Sequence, residues 1–507
     1  MADAAVEFLL LNLKQLLLYH VELLSGVKDQ VESLHRELSL MKAFLKDSRE
    51  KRSEYEYVRE LVSQITIVAY EAEDIIDTFV TNAAMQKARS PVGRALHVFD
   101  HSSKLRNVAK EIESIKVFKE SAQNHSLSSI SKYHRRLCVH SHFLDFITSR
   151  PFGPNVRSFL CFASEEMELL REHTSFLHEA FRLVRVLDLK YINFPRFPNE
   201  IVQLVHLRYI ALSGNFRVLP ASISKLWNLE TLIVRTKSRE LDIQVDIWKM
   251  SQFKHLYTSG LSCLRGPPAK TRKDNEDPFV RRNIQTISTV LPDCCKENIL
   301  ARTPGLRKLG IRGKLATLVA TNGDSSLFDN LAKLDNLETL KLLNDTFPLP
   351  PSQCQISGLP QSYKFPPNLK KLTLSDTFLD WSHISTLGML PNLEVLKLKD
   401  YAFKGTQWEP LDGGFRLLRV LHIGRTNLEH WNASGHHFPR LQQVFLKHCS
   451  SLNEIPFGLV EVPSLQNMEL FWPTPAAAAS ARFIQQEKQK GDIKDNVFKL
   501  VIYPPDI

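Results

Sequence analysis

Glu73, Asp74 and Asp77 lie one, three and four residues apart on a stretch with helical periodicity, so their carboxylates share a face away from Ile75, Ile76 and Phe79. A compact acidic patch of this kind is suited to pairing with cations. A matching set stands downstream. Arg135, Arg157, Arg185 and Arg208 occupy the same place in four successive leucine-rich units, and Glu230 ends the run. If neighbouring units form strands about 4.8 Å apart, four aligned guanidinium groups repel by somewhat under about 1 kcal/mol per neighbouring pair even in water. They invite a negative partner. The planar fork of arginine matches a carboxylate better than lysine does. The expectation is that the acidic patch docks on the arginine ladder, within one chain or between two.

Other residue types that carry chemistry do not assemble into a recognised arrangement. His436, His437, His448 and Cys449 are close in sequence, but their spacing matches no zinc framework. Gly313-Lys314 is followed by Leu315, not by the Ser or Thr of a phosphate-binding loop. There is no GxSxG elbow, no HExxH pair and no kinase catalytic loop. No catalytic residue, metal or cofactor is expected.

Two kinds of element must position the charged residues. From residue 1 to about 120 the apolar residues step by three and four: Val27, Val31, Leu34, Leu38, Met41 and Leu45, then Val58, Leu61, Ile65, Val68, Ala72, Ile75 and Phe79, then Leu105, Val108, Ile112 and Ile115. With the segment from Asp3 to Leu24 they predict four amphipathic helices joined by short polar connections, which is a bundle. The rest of the chain repeats L-x-x-L-x-L. Its clear copies run from Val184-Leu187-Leu189 to Leu465-Met468-Leu470, weaker ones stand at Phe253-Leu256 and Ile284-Ile287, and two more precede them at Leu137 and Phe159. From Leu187 to Met468 the fourth positions advance by 23, 22, 24, 31, 22, 31, 32, 24, 25, 23 and 24 residues, mostly the leucine-rich-repeat period. The long steps hold insertions at Gly266–Pro278, Thr321–Asp329 and Pro348–Pro367. A unit of this kind cannot bury its apolar face alone, so the units must stack into a horseshoe lined by parallel strands. Beyond it, Pro473–Ser480 reads as a break, Phe483–Lys490 as a helix and Val497–Ile502 as a closing strand.

The expected fold is therefore α plus α/β solenoid: a four-helix bundle over 1–120, a Ser-rich linker over 121–131, leucine-rich repeats over 132–472 and a terminal cap over 473–507. At 507 residues and 43% hydrophobic composition, the chain can bury more than one core. Residues 1–120 carry 17 basic and 19 acidic side chains and the remainder 48 and 36, so the excess charge sits on the repeats. It is spread without the aromatic and basic interleaving of a single-strand platform, and nucleic acid is not expected as a partner. Cys138, Cys161, Cys263, Cys294, Cys295, Cys354 and Cys449 form no CxxC pairing, which fits a reducing, cytoplasmic setting. The most apolar stretch, Ala4–Leu24, is interrupted by Glu7, Lys14, His20 and Glu22, too often for a spanning helix.

Three motifs carry a resemblance. Met1-Ala2-Asp3-Ala4-Ala5-Val6, followed by Phe8 and a leucine-rich stretch to Leu18, is similar to the so-called MADA start. Glu73-Asp74-Ile75-Ile76-Asp77 is similar to the EDVID motif of Rx-type coiled-coil domains. The repeats contain Arg-Val-Leu-Asp-Leu at Arg185–Leu189 and Leu219-Pro220. On these residues the chain resembles plant intracellular immune receptors of the coiled-coil nucleotide-binding leucine-rich-repeat class, in particular the late-blight-resistance and helper members. Members of that class carry a nucleotide-binding, oligomerising module between bundle and repeats, whereas here only Ser121–Ser131 separates them, so no ATP-driven switch is carried over.

The resemblance also implies that the first helix, released on activation, inserts into the plasma membrane as an oligomeric cation pore. Glu7, Leu9, Leu10, Leu13, Leu16 and Leu17 would form it, with Glu7, Asn12, Lys14 and Gln15 hidden around water. Leu11 falls where many relatives carry glutamate. The expected function is a non-enzymatic plant defence protein, a truncated receptor-like regulator, adaptor or decoy. Its bundle would pair with full-length receptors or a second copy, and its repeats would recognise a host or pathogen protein. It would be cytoplasmic, or peripheral at the plasma membrane. Two alternatives stay open: a fragment or splice form of an ATP-switched, pore-forming receptor, and a leucine-rich-repeat substrate adaptor of a ubiquitin ligase.

Overall fold

Side chains alternate across an extended chain, so the fourth and sixth residues of each L-x-x-L-x-L unit fall on one side of a strand. That side is the core. The computed structural model describes residues 2–19, 28–47, part of 62–81, 135–139, 155–162, 166–169, 176–266, 283–322, 325–345, 356–491 and 498–505. They form two compact units, the first comprising Met1–Phe194, Pro198–Ile210 and Lys225–Leu229, the second Pro195–Phe197, Ala211–Ser224 and Glu230–Ile507.

In the first unit, α1 (Ala2–Tyr19) and α2 (Lys28–Asp47) pack with a third helix whose described residues fall between 62 and 81. Val6, Leu9, Leu13 and Leu16 from α1, Val31, Leu34, Leu38 and Leu45 from α2, and Ile65, Ala69, Ala72, Ile76 and Val80 from the third helix share one buried core. This is the three-and-four spacing of the sequence turned inward. The expected fourth helix around 105–115 and the linker 121–131 lie outside the described residues. The same unit holds the first repeats. Strand Arg136–Val139 runs parallel to Ser158–Cys161, which runs parallel to Val186–Phe194.

The second unit is a succession of parallel strands. From Thr231–Thr236 the ladder passes through His255–Thr258, Thr286–Val290, Lys308–Gly313, Thr339–Asn344, Lys371–Ser375, Val395–Lys399, Val420–Gly424, Gln443–Lys447 and Asn467–Phe471 to Lys499–Tyr503. Leu372 and Leu374, Leu396 and Leu398, Leu421 and Ile423, and Val444 and Leu446 are buried along it. An asparagine just before the first leucine of several repeats ties each turn to the one before. Asn336, Asn368 and Asn392 donate through Nδ2 to the carbonyls of Pro304, Asp335 and Pro367, each at 2.9 Å. Such bonds satisfy backbone acceptors that the short turns leave over. In the later repeats Trp381, Trp408 and Trp431 stack at 4.9 and 5.2 Å.

Beside the main ladder runs a second short parallel one, Val218–Leu219 beside Glu240–Ile243 beside Leu261–Leu264, so these repeats carry two strands each. One expectation is corrected. At the C-terminus, Pro473–Ser480 is not a break. A helix runs over Pro475–Gly491, because proline is tolerated at a first turn, the Ala477 N–H finds the Thr474 hydroxyl at 3.0 Å, and four alanines follow. The insertion at Thr321–Asp329 contains a small antiparallel pair, Thr321–Asn322 with Ser325–Ser326. Of the insertion at Gly266–Pro278 all but Gly266 lies outside the described residues, and of Pro348–Pro367 the residues 348–355 do.

Candidate functional site

The arginines are aligned by the backbone itself. In the first unit the Arg157 N–H donates to the Arg135 carbonyl at 2.7 Å, Arg185 to Arg157 at 2.7 Å, and Arg208 to Arg185 at 2.8 Å. Each arginine is therefore the next rung of one ladder. The third helix lays its acidic face on them. Arg135 donates to Glu73 Oε2 at 2.9 Å, to Asp74 Oδ2 at 3.0 Å and to the Tyr70 carbonyl at 2.8 Å, with its guanidinium 4.1 Å from the Tyr70 ring centroid. Arg157 bonds Asp74 and lies 3.4 Å from Asp77 Oδ2. Arg185 bonds Glu73 and Asp77. Each carboxylate thus meets two guanidinium groups, and each of these three arginines meets two carboxylates.

The fourth rung reaches elsewhere. Arg208 donates to Asn12 Oδ1 of α1, and its guanidinium and that of Arg185 each lie 4.5 Å from the Phe8 ring centroid. The ladder expected to meet only the acidic motif therefore holds α1 as well. Spacing along the sequence could not reveal Phe8, Asn12, Tyr70, Thr81 or His206, which complete the site from other elements. His206 Nδ1 lies 3.5 Å from Asp77 Oδ1, and its Nε2 lies 2.7 Å from the Asp77 carbonyl and 2.9 Å from the Thr81 hydroxyl. His206 stands just before Leu207 in a repeat, a place that in isolation reads as a turn residue.

Burial makes the electrostatics uneven. It pushes the Asp74 carboxyl up to about 6, against the pull of Arg157 and Arg135 and with the like charge of Glu73 and Asp77 adding to it. Burial pushes Asp77 the same way, yet Arg185, His206 and Arg157 outweigh it and hold that carboxyl below its usual range. The two arginines mirror this. Burial lowers Arg157, and Asp77 and Asp74 do not make up the loss, whereas at Arg185 the charges of Asp77 and Glu73 more than reverse the burial. Burial also lowers His206 and favours its neutral form. The Arg185–Asp77 arm is the strong one, and the Arg157–Asp74 arm is the proton-sensitive one. Arg135 Nε and Arg157 Nε are both buried without an acceptor among the described residues.

The membrane-helix candidates are divided between core and surface. Leu9, Leu13 and Leu16 are buried in the helical core, Leu10 and Leu17 pack against it half-buried, and Glu7 is exposed and pairs with Lys42 of α2 at 2.8 Å. Among the described residues no helix is long and apolar enough to cross a membrane.

The histidines of the second unit converge with an acid. His436 Nε2 and His437 Nε2 lie 2.7 and 3.0 Å from Asp412 Oδ1. The Ser434 N–H donates to His437 Nδ1 at 3.0 Å, which leaves the proton of a neutral ring on Nε2, where it donates to Asp412. His448 stacks on Trp472 at 6.4 Å and Cys449 is buried, so neither joins the group.

The chain matches the Rx N-terminal domain over residues 5–110 and the leucine-rich repeat region over residues 155–487. It is 32% identical over 337 residues to each of two putative late blight resistance protein homologues of Solanum demissum, an alignment covering 64% of this chain and 24% of each of those. It spans about a quarter of their length. A third putative late blight resistance protein homologue from the same plant is 32% identical over 340 residues and is covered to 40%. Among solved structures, a leucine-rich-repeat protein of Leptospira interrogans overlaps 68% of this chain and 73% of its own, at 17% identity and a TM-score of 0.34.

Proposed function

We propose, starting from a chain that belongs to the leucine-rich repeat region family and carries an Rx N-terminal domain, that it is a plant disease-resistance protein acting through protein contacts. The names of its relatives support the defence role, and a stack of strands presenting varied side chains supports recognition. In this reading the acidic motif and the arginine ladder form a clamp that keeps the helical part seated on the first repeats. The partners are full-length receptors of the same class, or host and pathogen proteins, and the chain serves as a regulator, adaptor or decoy at or near the plasma membrane. The observation that carries the reading is the pairing of Glu73, Asp74 and Asp77 with Arg135, Arg157 and Arg185 on three successive rungs.

A clamp differs from a rigid structural contact in that it opens when one charge is reversed and closes when the partner charge is reversed too. The test is hydrogen exchange on the full chain. Asp77→Arg is expected to raise exchange in α1 and in residues 62–81, and Asp77→Arg with Arg185→Asp is expected to restore much of the protection. The same variants expressed in leaf tissue should change the defence response in the same order. Unchanged exchange in Asp77→Arg would remove the clamp from the proposal.

A further inference from the structure

The outward strand face of the second unit carries a band of positive charge that the clamp does not use. In register across neighbouring strands stand Lys341, Thr373, Lys397, His422 and Phe445. Lys371 lies two residues before Thr373 on the same face, Lys399 two residues after Lys397, and Lys447 two residues after Phe445. Among the described residues Glu469 stands one strand beyond Phe445 in the same row, where the Asn467 amide donates to it at 2.9 Å, and four further acids pair with cations at the two margins. At the strand entries Glu338 binds Lys370 at 3.1 Å and Glu394 lies 3.8 Å from Arg419. At the strand exits Asp345 binds Arg239 at 2.9 Å and Asp400 lies 3.4 Å from Arg425.

Between those margins the cations act on one another. Burial and then Lys371, Lys399 and Lys308 hold Lys341 below its usual value. Burial and then Lys371, Lys399, Lys341 and Lys447 do the same to Lys397. His422 is pushed down to about 4 by burial and by Lys399, Lys397 and Lys447. A set of cations held this close without counter-charge is relieved by an incoming anion.

We propose that this band docks an acidic helix of a partner protein, laid across the strands from Thr339–Asn344 to Gln443–Lys447 with its Asp and Glu side chains toward Lys341, Lys371, Lys397 and Lys399. The proposal rests on the recognition reading above and names the chemistry of its partner. Five strands span four steps of about 4.8 Å, roughly 19 Å. That length corresponds to about 13 residues of helix. Carboxylates three and four residues apart on a helix stand about 5–6 Å from each other, close to the strand spacing. The first unit already uses this match, with Glu73, Asp74 and Asp77 lying across three rungs. At the margins Lys370, Arg419, Arg239 and Arg425 are already taken up by Glu338, Glu394, Asp345 and Asp400, so a nucleic-acid duplex or an anionic membrane gains nothing there, whereas a single acidic stripe fits the band between them. Half-buried Phe445 and Phe471 and exposed Trp472 give the far end of the band an apolar contact for the same helix.

The experiment uses the full chain and fluorescence anisotropy at low salt. The probe is a labelled helical peptide of about fifteen residues with glutamates at i, i+3 and i+4. Its lysine counterpart, a uridine oligonucleotide and phosphatidylserine vesicles are run beside it. The glutamate peptide is expected to bind and the lysine peptide not to. Lys341→Glu with Lys397→Glu should weaken the glutamate peptide by at least about tenfold. Lys341→Gln with Lys397→Gln, which keeps the face neutral, should fall between, at an unchanged melting temperature. Asp77→Arg, which opens the clamp, should leave the peptide affinity unaltered, so loss of the clamp and loss of this surface read out separately. Absence of peptide binding, tighter binding of the oligonucleotide or the vesicles, or an affinity indifferent to Lys341 and Lys397 would each overturn the proposal.

Discussion

The guanidinium of Arg185 lies 4.5 Å from the ring centroid of Phe8 while it bonds Glu73 and Asp77, so one side chain joins α1, the acidic helix and the repeat ladder. Removing it leaves two buried carboxylates short of a partner. Arg185→Ala is expected to cost about 3–5 kcal/mol in denaturant unfolding. Phe8→Ala, which removes a stacking contact but no charge pair, should cost less, and about 0.5–2 kcal/mol of it should be cation–π attraction. In a double-mutant cycle the two losses should not add. Simple additivity would mean that Phe8 and Arg185 are neighbours without coupling.

The clamp should also answer to pH through Asp74. Its carboxyl rises from 3.8 to about 6 on folding. Between those values the folded chain holds a proton that the unfolded chain has lost, so the contribution of this group to stability falls as pH rises through the window. Asp77 runs the other way: its lowered value stabilises above the unfolded value and is lost as pH falls through the folded one. Comparison with Asp74→Asn isolates the first effect. Urea midpoints of the native chain minus those of Asp74→Asn should decline between about pH 4 and pH 6 and then level. A difference that rises across that range would mean that Arg157 and Arg135 outweigh the burial of Asp74.

How far the sequence announced these features differs from element to element. Leu340, Leu372, Leu396 and Leu421 lie in the core because a period-two alternation leaves a parallel strand no other register without turning its leucines outward. The arginine ladder was legible for the same reason, since a fixed place in each repeat becomes a fixed rung. Asn12 and His206 were not, because their bonds to Arg208 and Asp77 join positions 196 and 129 residues apart, and no local period encodes that. The contact of Phe8 with Arg185 joins α1 to a repeat in the same way. The ladder at Glu240–Ile243 and Leu261–Leu264 was missed because each of its strands has only four residues, too few to separate alternation from a loop. The terminal helix is legible from Phe483 to Lys490, but its start at Pro475 reads as a break because proline and alanine look like a linker until a cap at Thr474 is recognised.

The tryptophan stack should hold the later repeats together. Trp408 lies between Trp381 at 4.9 Å and Trp431 at 5.2 Å, with Phe438 edge-on at 6.0 Å, and all three indoles are buried. Three successive repeats therefore share one aromatic column. Trp408→Ala empties its centre and is expected to cost about 3–5 kcal/mol. Trp408→Phe keeps a stacked ring and should cost distinctly less. The near-ultraviolet circular dichroism of coupled indoles should collapse in the alanine variant, and an unaltered spectrum would show that the column is not a packed unit.

Two neighbouring turns leave room only for glycine. A Cβ at Gly458 would stand 2.5 Å from Ser434 Cα and 2.7 Å from the Ala433 carbonyl oxygen, both backbone atoms that cannot rotate aside. The turns Gly435–His437 and Phe457–Glu461 would have to separate. Gly458→Ala is therefore expected to destabilise by about 1–3 kcal/mol. Because Ser434 fixes the His437 ring through its N–H, the substitution should also shift the His437 ring resonances, at a site the new methyl does not touch. Gly266 provides the contrast, since among the described residues a Cβ there meets nothing nearer than Asn298 Nδ2 at 3.8 Å. With space available, Gly266→Ala should be neutral or stabilise by up to about 1 kcal/mol through the unfolded chain. Equal effects at the two positions would mean that the cost at Gly458 is not steric.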